Sequence, residues 1–140
     1  KSKATLDSIF KNIDTFLKKG GFFIFTTYDG EIINERLKKD GKFEVLRDGE
    51  NVVDIIKGYT GDKLKNYGQA IDVKCETFVK HETEYLVNYE YVLEYFKKKG
   101  YDVVESENFM TKLPNYKGTP LDTVDQGITG LHRYTVLTKL

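Results

Sequence analysis

Tryptophan is absent and cysteine occurs once, at Cys75. A single thiol excludes an intrachain disulfide and fits a reducing compartment. Neither sign of charge is in excess, since Lys plus Arg and Asp plus Glu both number 22. No whole-molecule field therefore draws in nucleic acid or a membrane surface, and any basic site must be local. No apolar run approaches the roughly 20 residues that span a bilayer. His81 and His132 lie far apart, and Cys75 has no partner at ligand spacing, so no metal motif is visible. A Gly-rich phosphate loop and a nucleophilic triad signature are missing too. Lys1-Ser2-Lys3 leads straight into an amphipathic helix with no signal-peptide pattern. That start, without a Met, is expected of a piece of something longer.

What remains is a chain of 140 residues, enough for one domain with a real core. Its 14% aromatic content is all Tyr and Phe, which favours packing over disorder. Leu6, Ile9, Phe10, Ile13, Phe16 and Leu17 form one helical face over 4–19, with Thr5 as a candidate N-cap and Gly20 as the left-handed stop. Phe22 to Phe25 then run as bulky apolar residues up to Thr26-Thr27-Tyr28-Asp29-Gly30. The pattern predicts a strand buried on both faces. In an open α/β sheet, ligands sit beyond the carboxyl ends of strands, which places Tyr28 at a crevice.

A short helix is expected from Glu31 to Lys39, then strands over 42–47, 52–59 and 68–80 around an Asp48-Gly49 turn. This middle third reads as a β-rich insertion over about 42–80. Glu82 to Tyr85 approaches a second long helix capped near Asn88, with Tyr89, Val92, Leu93 and Phe96 as its stripe. Lys97-Lys98-Lys99 suits that helix's C-terminal dipole end. A strand from Tyr101 to Glu105 follows. Residues 106–129, which hold both prolines, read as a long loop, and 131–140 as a last strand returning antiparallel beside its neighbour.

Four residues are candidates for carrying chemistry. Glu84, close to a Tyr, either accepts two N–H donors from a guanine-like edge or satisfies backbone N–H groups at a helix start. Tyr28 is either a base-stacking ring or an amphipathic Tyr at a core rim. His132 and Tyr134 share one face of the last strand and either point at a site or cover a helix.

In order and spacing these segments resemble the mRNA cap guanine-N7 methyltransferases. Leu17 to Leu37 resembles the family's Gly-Gly turn, its strand ending in T-x-(P/M)-(D/N), and the helix that follows. Glu84-Tyr85-Leu86-Val87-Asn88-Tyr89 resembles its E-(F/Y)-L-V-x-(F/Y) segment. Phe96 to Val104 followed by Phe109, and His132 to Lys139, resemble its closing helix–strand and strand steps. The closest flavour is the methyltransferase domain of capping enzymes from large DNA viruses.

The resemblance implies an α/β fold, namely the C-terminal portion of a class I, Rossmann-like methyltransferase sheet with a β-rich insertion. Residues 1–140 would be the second half of the domain. It implies S-adenosylmethionine as cofactor, held mostly by a Gly-rich loop and an acidic ribose ligand outside this segment. The segment alone is then expected to be inactive. Capped mRNA would be the partner, with the rest of a capping enzyme or a stimulatory subunit, in the cytoplasm, the nucleus or a viral factory and without a membrane.

Tyr28 falls at a position lining the guanine pocket that is Pro in many members. Glu84 falls on the glutamate that pairs with guanine N1 and N2. His132 falls on a strand aromatic, usually Tyr, and Tyr134 is its same-face substitute. No side-chain base is implied, because guanine N7 is already nucleophilic and alignment supplies the rate. A non-catalytic methyltransferase-like binding subunit is the alternative. A free-standing small α/β domain unrelated to methyl transfer is a third reading.

Overall fold

A computed structural model gives the fold, with residues 1–75 and 80–140 described. The expected continuation of the third insertion strand through Glu76 and Thr77 lies outside those residues.

Helix α1 (Lys3–Phe16) starts at Ser2, whose side chain accepts from the Thr5 backbone N–H. The cap is thus three residues earlier than expected. The helix also ends sooner, leaving Lys18 and Lys19 in a turn. Gly20 takes the left-handed conformation there (φ +76°) and donates to the Lys139 carbonyl. Strand β1 (Phe22–Tyr28) follows. It is not buried on both faces. Phe22 and Ile24 are 61% and 63% exposed, while Phe23 and Phe25 pack inward. The unbroken apolar run conceals an alternation in which only one face is covered by helices.

Helix α2 (Gly30–Leu37) is capped by Asp29, whose Oδ1 accepts from the Glu31 and Ile32 N–H groups. Strands β2 (Lys42–Arg47) and β3 (Glu50–Lys57) form a hairpin. Its two turn residues, Asp48 and Gly49, both have positive φ, as a two-residue turn matched to strand twist requires. Strand β4 (Ala70–Cys75) adds to β3. The Glu82–Tyr85 segment is a strand, β5, pairing antiparallel with β4, rather than a lead-in to a helix. The insertion sheet, in the order β2-β3-β4-β5, therefore reaches residue 85.

Helix α3 (Tyr89–Lys98) begins at Asn88 as expected, and Gly100 closes it with φ +88°. Strand β6 (Tyr101–Asn108) is longer than its sequence suggests. The predicted long loop instead holds a 3-10 helix (Phe109–Asn115) and helix α4 (Thr123–Thr129). The 3-10 helix is capped by Asn108, and α4 by Asp122. Both are one or two turns long, too short to show an apolar period. Strand β7 (His132–Lys139) ends the fold.

The first sheet has the order β1-β7-β6, with β7 antiparallel to both neighbours. Helices α1 and α3 cover one face around Phe96, Tyr101 and Leu137, with Phe10, Phe23 and Phe25 packed against them. A second core joins α2 to the insertion sheet through Ile33, Leu37, Ile55, Ile71 and Val73, with Leu131 alongside. Each such buried side chain contributes about 1.5–3 kcal/mol relative to exposure. No described helix is long and apolar enough to cross a membrane.

Candidate functional site

The two cores meet where β1 ends and β7 begins. Antiparallel register sets Tyr28 opposite His132 and Thr26 opposite Tyr134. Directly opposed residues share a face, so the Tyr28 and His132 rings come into contact. They stack with centroids 4.5 Å apart and planes 29° from parallel. His132 Nδ1 lies 3.0 Å from the Ile128 carbonyl. A carbonyl only accepts, so Nδ1 carries the hydrogen and leaves Nε2 for a ligand or solvent.

Glu84 reaches the same place from the insertion sheet. It sits opposite Ile71, whose side chain is buried in the second core. Its carboxylate therefore stands on the inward, otherwise apolar face of β5. Burial pushes the Glu84 carboxyl above its ordinary value, and the nearby His132 partly offsets this. Burial, then the Glu84 charge, then Cys75 push the Tyr28 hydroxyl up to about 12. Tyr28 thus remains a neutral donor at physiological pH. Among the described residues no side chain or backbone group hydrogen-bonds to the Glu84 carboxylate, although its surroundings raise the cost of leaving it bare.

Three of the four residues singled out from sequence, Tyr28, Glu84 and His132, come together here. Tyr134 lies two residues along the same face and is engaged elsewhere. Its ring packs on Phe109 at 5.4 Å, its hydroxyl donates to Glu107 Oε2 at 3.4 Å, and Lys112 lies 5.6 Å from its centroid. It forms a wall beside the site.

The residues that hold the site in place were not apparent in the sequence. Asp29 is 2% exposed, and its Oδ2 accepts from Arg133 Nε at 2.8 Å. The Asp29 N–H donates to the Leu131 carbonyl. Arg133 also donates to the Ser106 carbonyl and lies over the Tyr89 ring. Gly30 abuts the segment between β5 and α3 so closely that a Cβ there would lie 2.2 Å from the Val87 carbonyl oxygen. That approach packs the start of α2 directly against the backbone that follows β5. An Asp-Gly pair opening a helix is the one sequence signal that could have pointed to either. On the far side, Arg47 of β2 pairs with Asp125 of α4 at 2.6 Å and tethers the insertion sheet to the helix that precedes His132.

No group of three or more His, Cys, Asp or Glu among the described residues could hold a metal ion. The acid at the end of β1, Asp29, has one oxygen on the α2 N-terminus and the other on Arg133. Both of its oxygens thus accept hydrogen bonds within the fold.

Comparison with known proteins gives a consistent result. Residues 1–121 match the model of the mRNA (guanine-N(7))-methyltransferase domain. A probable mRNA-capping enzyme of Acanthamoeba polyphaga mimivirus is 32% identical over an alignment of 116 positions, and the match covers 76% of this chain. The chain spans only 10% of that protein's length. The chain belongs to the mRNA (guanine-N(7))-methyltransferase family.

Proposed function

We propose that this chain is the cap-guanine-holding part of an enzyme that transfers a methyl group from S-adenosylmethionine to N7 of the mRNA cap guanine. The observation that carries the reading is the Glu84 carboxylate, half-buried beside the Tyr28–His132 stack and without a hydrogen-bond partner from the described residues. A guanine Watson–Crick edge offers two adjacent N–H donors, N1–H and N2–H, and a carboxylate accepts both. Tyr28, His132 and the wall at Tyr134 supply aromatic surface for the purine plane.

The site needs no general base, because N7 has its own lone pair. What the residues do is bind and orient, so that N7 faces the methyl donor with its edge already fixed. S-adenosylmethionine supplies the activated methyl group. On this reading most of the site for that cofactor lies outside this segment.

The architecture supports a class I methyltransferase reading for residues 1–140 as the second half of such a domain. With β7 antiparallel to both β1 and β6, those two run parallel to each other, and α1 and α3 cover one common face. The four-stranded sheet over 42–85 is an insertion in this scheme, and its role is to deliver Glu84.

The test is cap binding and N7 methylation by the full-length protein carrying Glu84→Ala. Binding of an unmethylated cap analogue should weaken by about 1.5–3 kcal/mol, the range for a hydrogen bond to a charged group. Unchanged affinity and unchanged methylation would sink the assignment.

A further inference from the structure

Tyr89 belongs to the apolar stripe of α3, and a Phe would fill that stripe equally well. Its hydroxyl is what packing leaves unexplained. Tyr89 is 5% exposed. Its ring stacks on Phe25, with centroids 6.0 Å apart and planes 6° from parallel, and the Arg133 guanidinium lies 5.1 Å from its centroid. The hydroxyl donates to the Arg133 carbonyl at 3.2 Å and accepts from Thr27 Oγ1 at 2.8 Å. Thr27 and Arg133 are directly opposed across β1 and β7, in the rung next to the Tyr28–His132 pair. From the helix-covered face, Tyr89 therefore ties the two strands together directly behind the stack.

The short segment that ends at Tyr89 begins with Glu84. Between them the chain is held at each step. The Leu86 N–H donates to the Gln69 carbonyl, Val87 lies against Gly30, and Asn88 caps α3. A tie from Tyr89 to the strands is then also a tie between the Glu84 carboxylate and the two rings. A purine that sets its edge on one and its face on the other needs both in register. We infer that Tyr89 is a positioning residue of the guanine site, its hydroxyl setting the Tyr28–His132 stack relative to Glu84. The inference rests on the cap-guanine reading and adds to it a residue that acts from behind the site.

The experiment is a double-mutant cycle on the full-length protein. The probe, used in calorimetry, is the unmethylated cap dinucleotide, guanosine bridged through triphosphate to adenosine. Tyr89→Phe removes the hydroxyl alone and should weaken binding about three- to tenfold, the reach of one neutral hydrogen bond. In a Glu84→Ala background the same change should cost less than about twofold, because no edge contact is left to align. S-adenosylmethionine affinity should be the same in all four proteins. Should a thermal melt show Tyr89→Phe unfolded, Thr27→Val opens the bridge from its other side and should give the same pattern, with Tyr89 still donating to Arg133. A merely structural role would lower cap affinity by one factor in both backgrounds and lower S-adenosylmethionine affinity with it, and either result overturns the inference. So does a folded Tyr89→Phe that binds the dinucleotide as the wild type does while Glu84→Ala does not. A wild type that fails to bind it, or Glu84→Ala that binds as tightly as the wild type, overturns the cap-guanine reading itself, and this inference with it.

Discussion

Arg133 and Asp29 form an ion pair across the β1–β7 junction, Nε to Oδ2 at 2.8 Å, with the Asp29 side chain only 3% exposed. A buried charge is tolerable when it is paired and hydrogen-bonded, and costly when one partner is removed. Arg133→Ala would leave the Asp29 carboxylate facing the interior with only the α2 N-terminus to stabilise it. We expect a loss of about 3–5 kcal/mol in urea denaturation, the range for breaking a buried pair. Asp29→Asn keeps the amide oxygen as helix cap and removes the charge, so it should cost distinctly less. Equal losses in the two variants would show that loss of the contact itself, and not a stranded Asp29 charge, sets the cost.

The contact also explains how much of this molecule could be read from its sequence. The elements with long periodic faces, α1, α3 and the β2–β3 hairpin, were legible because hydrophobic period and turn chemistry agree there. Asn88 and Gly100 gave away the ends of α3 for the same reason. β5 was not legible. Glu82-Thr83-Glu84-Tyr85 has no apolar alternation, because the residue it turns inward, Glu84, is polar. The local rule failed where the candidate site lies. Tyr28 and His132 could each be flagged, but their stacking depends on a pairing register between residues about 100 positions apart. The same holds for Asp29 and Arg133. β1 misled in the opposite sense, since Phe22 and Ile24 imitate a doubly buried strand while standing exposed.

Two helical glycines should respond to alanine with opposite signs. At Gly30 the new Cβ would meet the Val87 carbonyl oxygen at 2.2 Å and its carbon at 2.8 Å, and a backbone carbonyl gives way only by moving the segment that follows β5. Gly30→Ala should cost about 1–3 kcal/mol, as overpacking does, and should weaken cap binding by shifting Glu84. At Gly127, inside α4, nothing lies within 4 Å of the added Cβ. Gly127→Ala should stabilise by about 0.5–1 kcal/mol through helix propensity alone. Parallel thermal melts of the two variants check both signs.

Alkaline unfolding should be governed by tyrosines on the α1–α3 side. Tyr101 donates to Asp14 at 3.1 Å and Tyr95 to Asp7 at 2.6 Å. Burial first, and then these carboxylates, push both hydroxyls from the ordinary 10.0 up to about 12. Below pH 10 both folded and unfolded chains hold the proton. Above it the unfolded chain ionises while the folded one resists, so stability falls from pH 10 through about 12. Tyr101→Phe should lose about 1 kcal/mol at neutral pH with the hydrogen bond. Asp14 keeps Lys139 as partner, so no carboxylate is orphaned. The same variant should show a shallower alkaline decline, read by urea denaturation at neutral pH and above pH 10.

Glu84 makes a prediction in which binding and stability move in opposite directions. Burial raises its carboxyl above the usual 4.5, so the folded protein takes up a proton there at a pH where the unfolded chain stays ionised. A raised folded value contributes stability below the unfolded value and loses it as pH rises through the folded one. At neutral pH the bare carboxylate is therefore a liability for the ligand-free protein, and Glu84→Gln should raise its stability. Cap guanine needs the ionised form, since a protonated carboxyl or an amide presents a donor to one of the two guanine N–H groups. Affinity in the wild type should fall on the acid side, with a midpoint above 4.5. Tyr28 does not share this limb, because its hydroxyl stays neutral up to about 12. In Glu84→Gln, affinity should be uniformly low and the acid limb absent. Titrations of a cap dinucleotide across this pH range, paired with melts of the ligand-free proteins, separate the two effects. A residue serving only the fold would lose stability together with binding, whereas Glu84→Gln should gain one while losing the other.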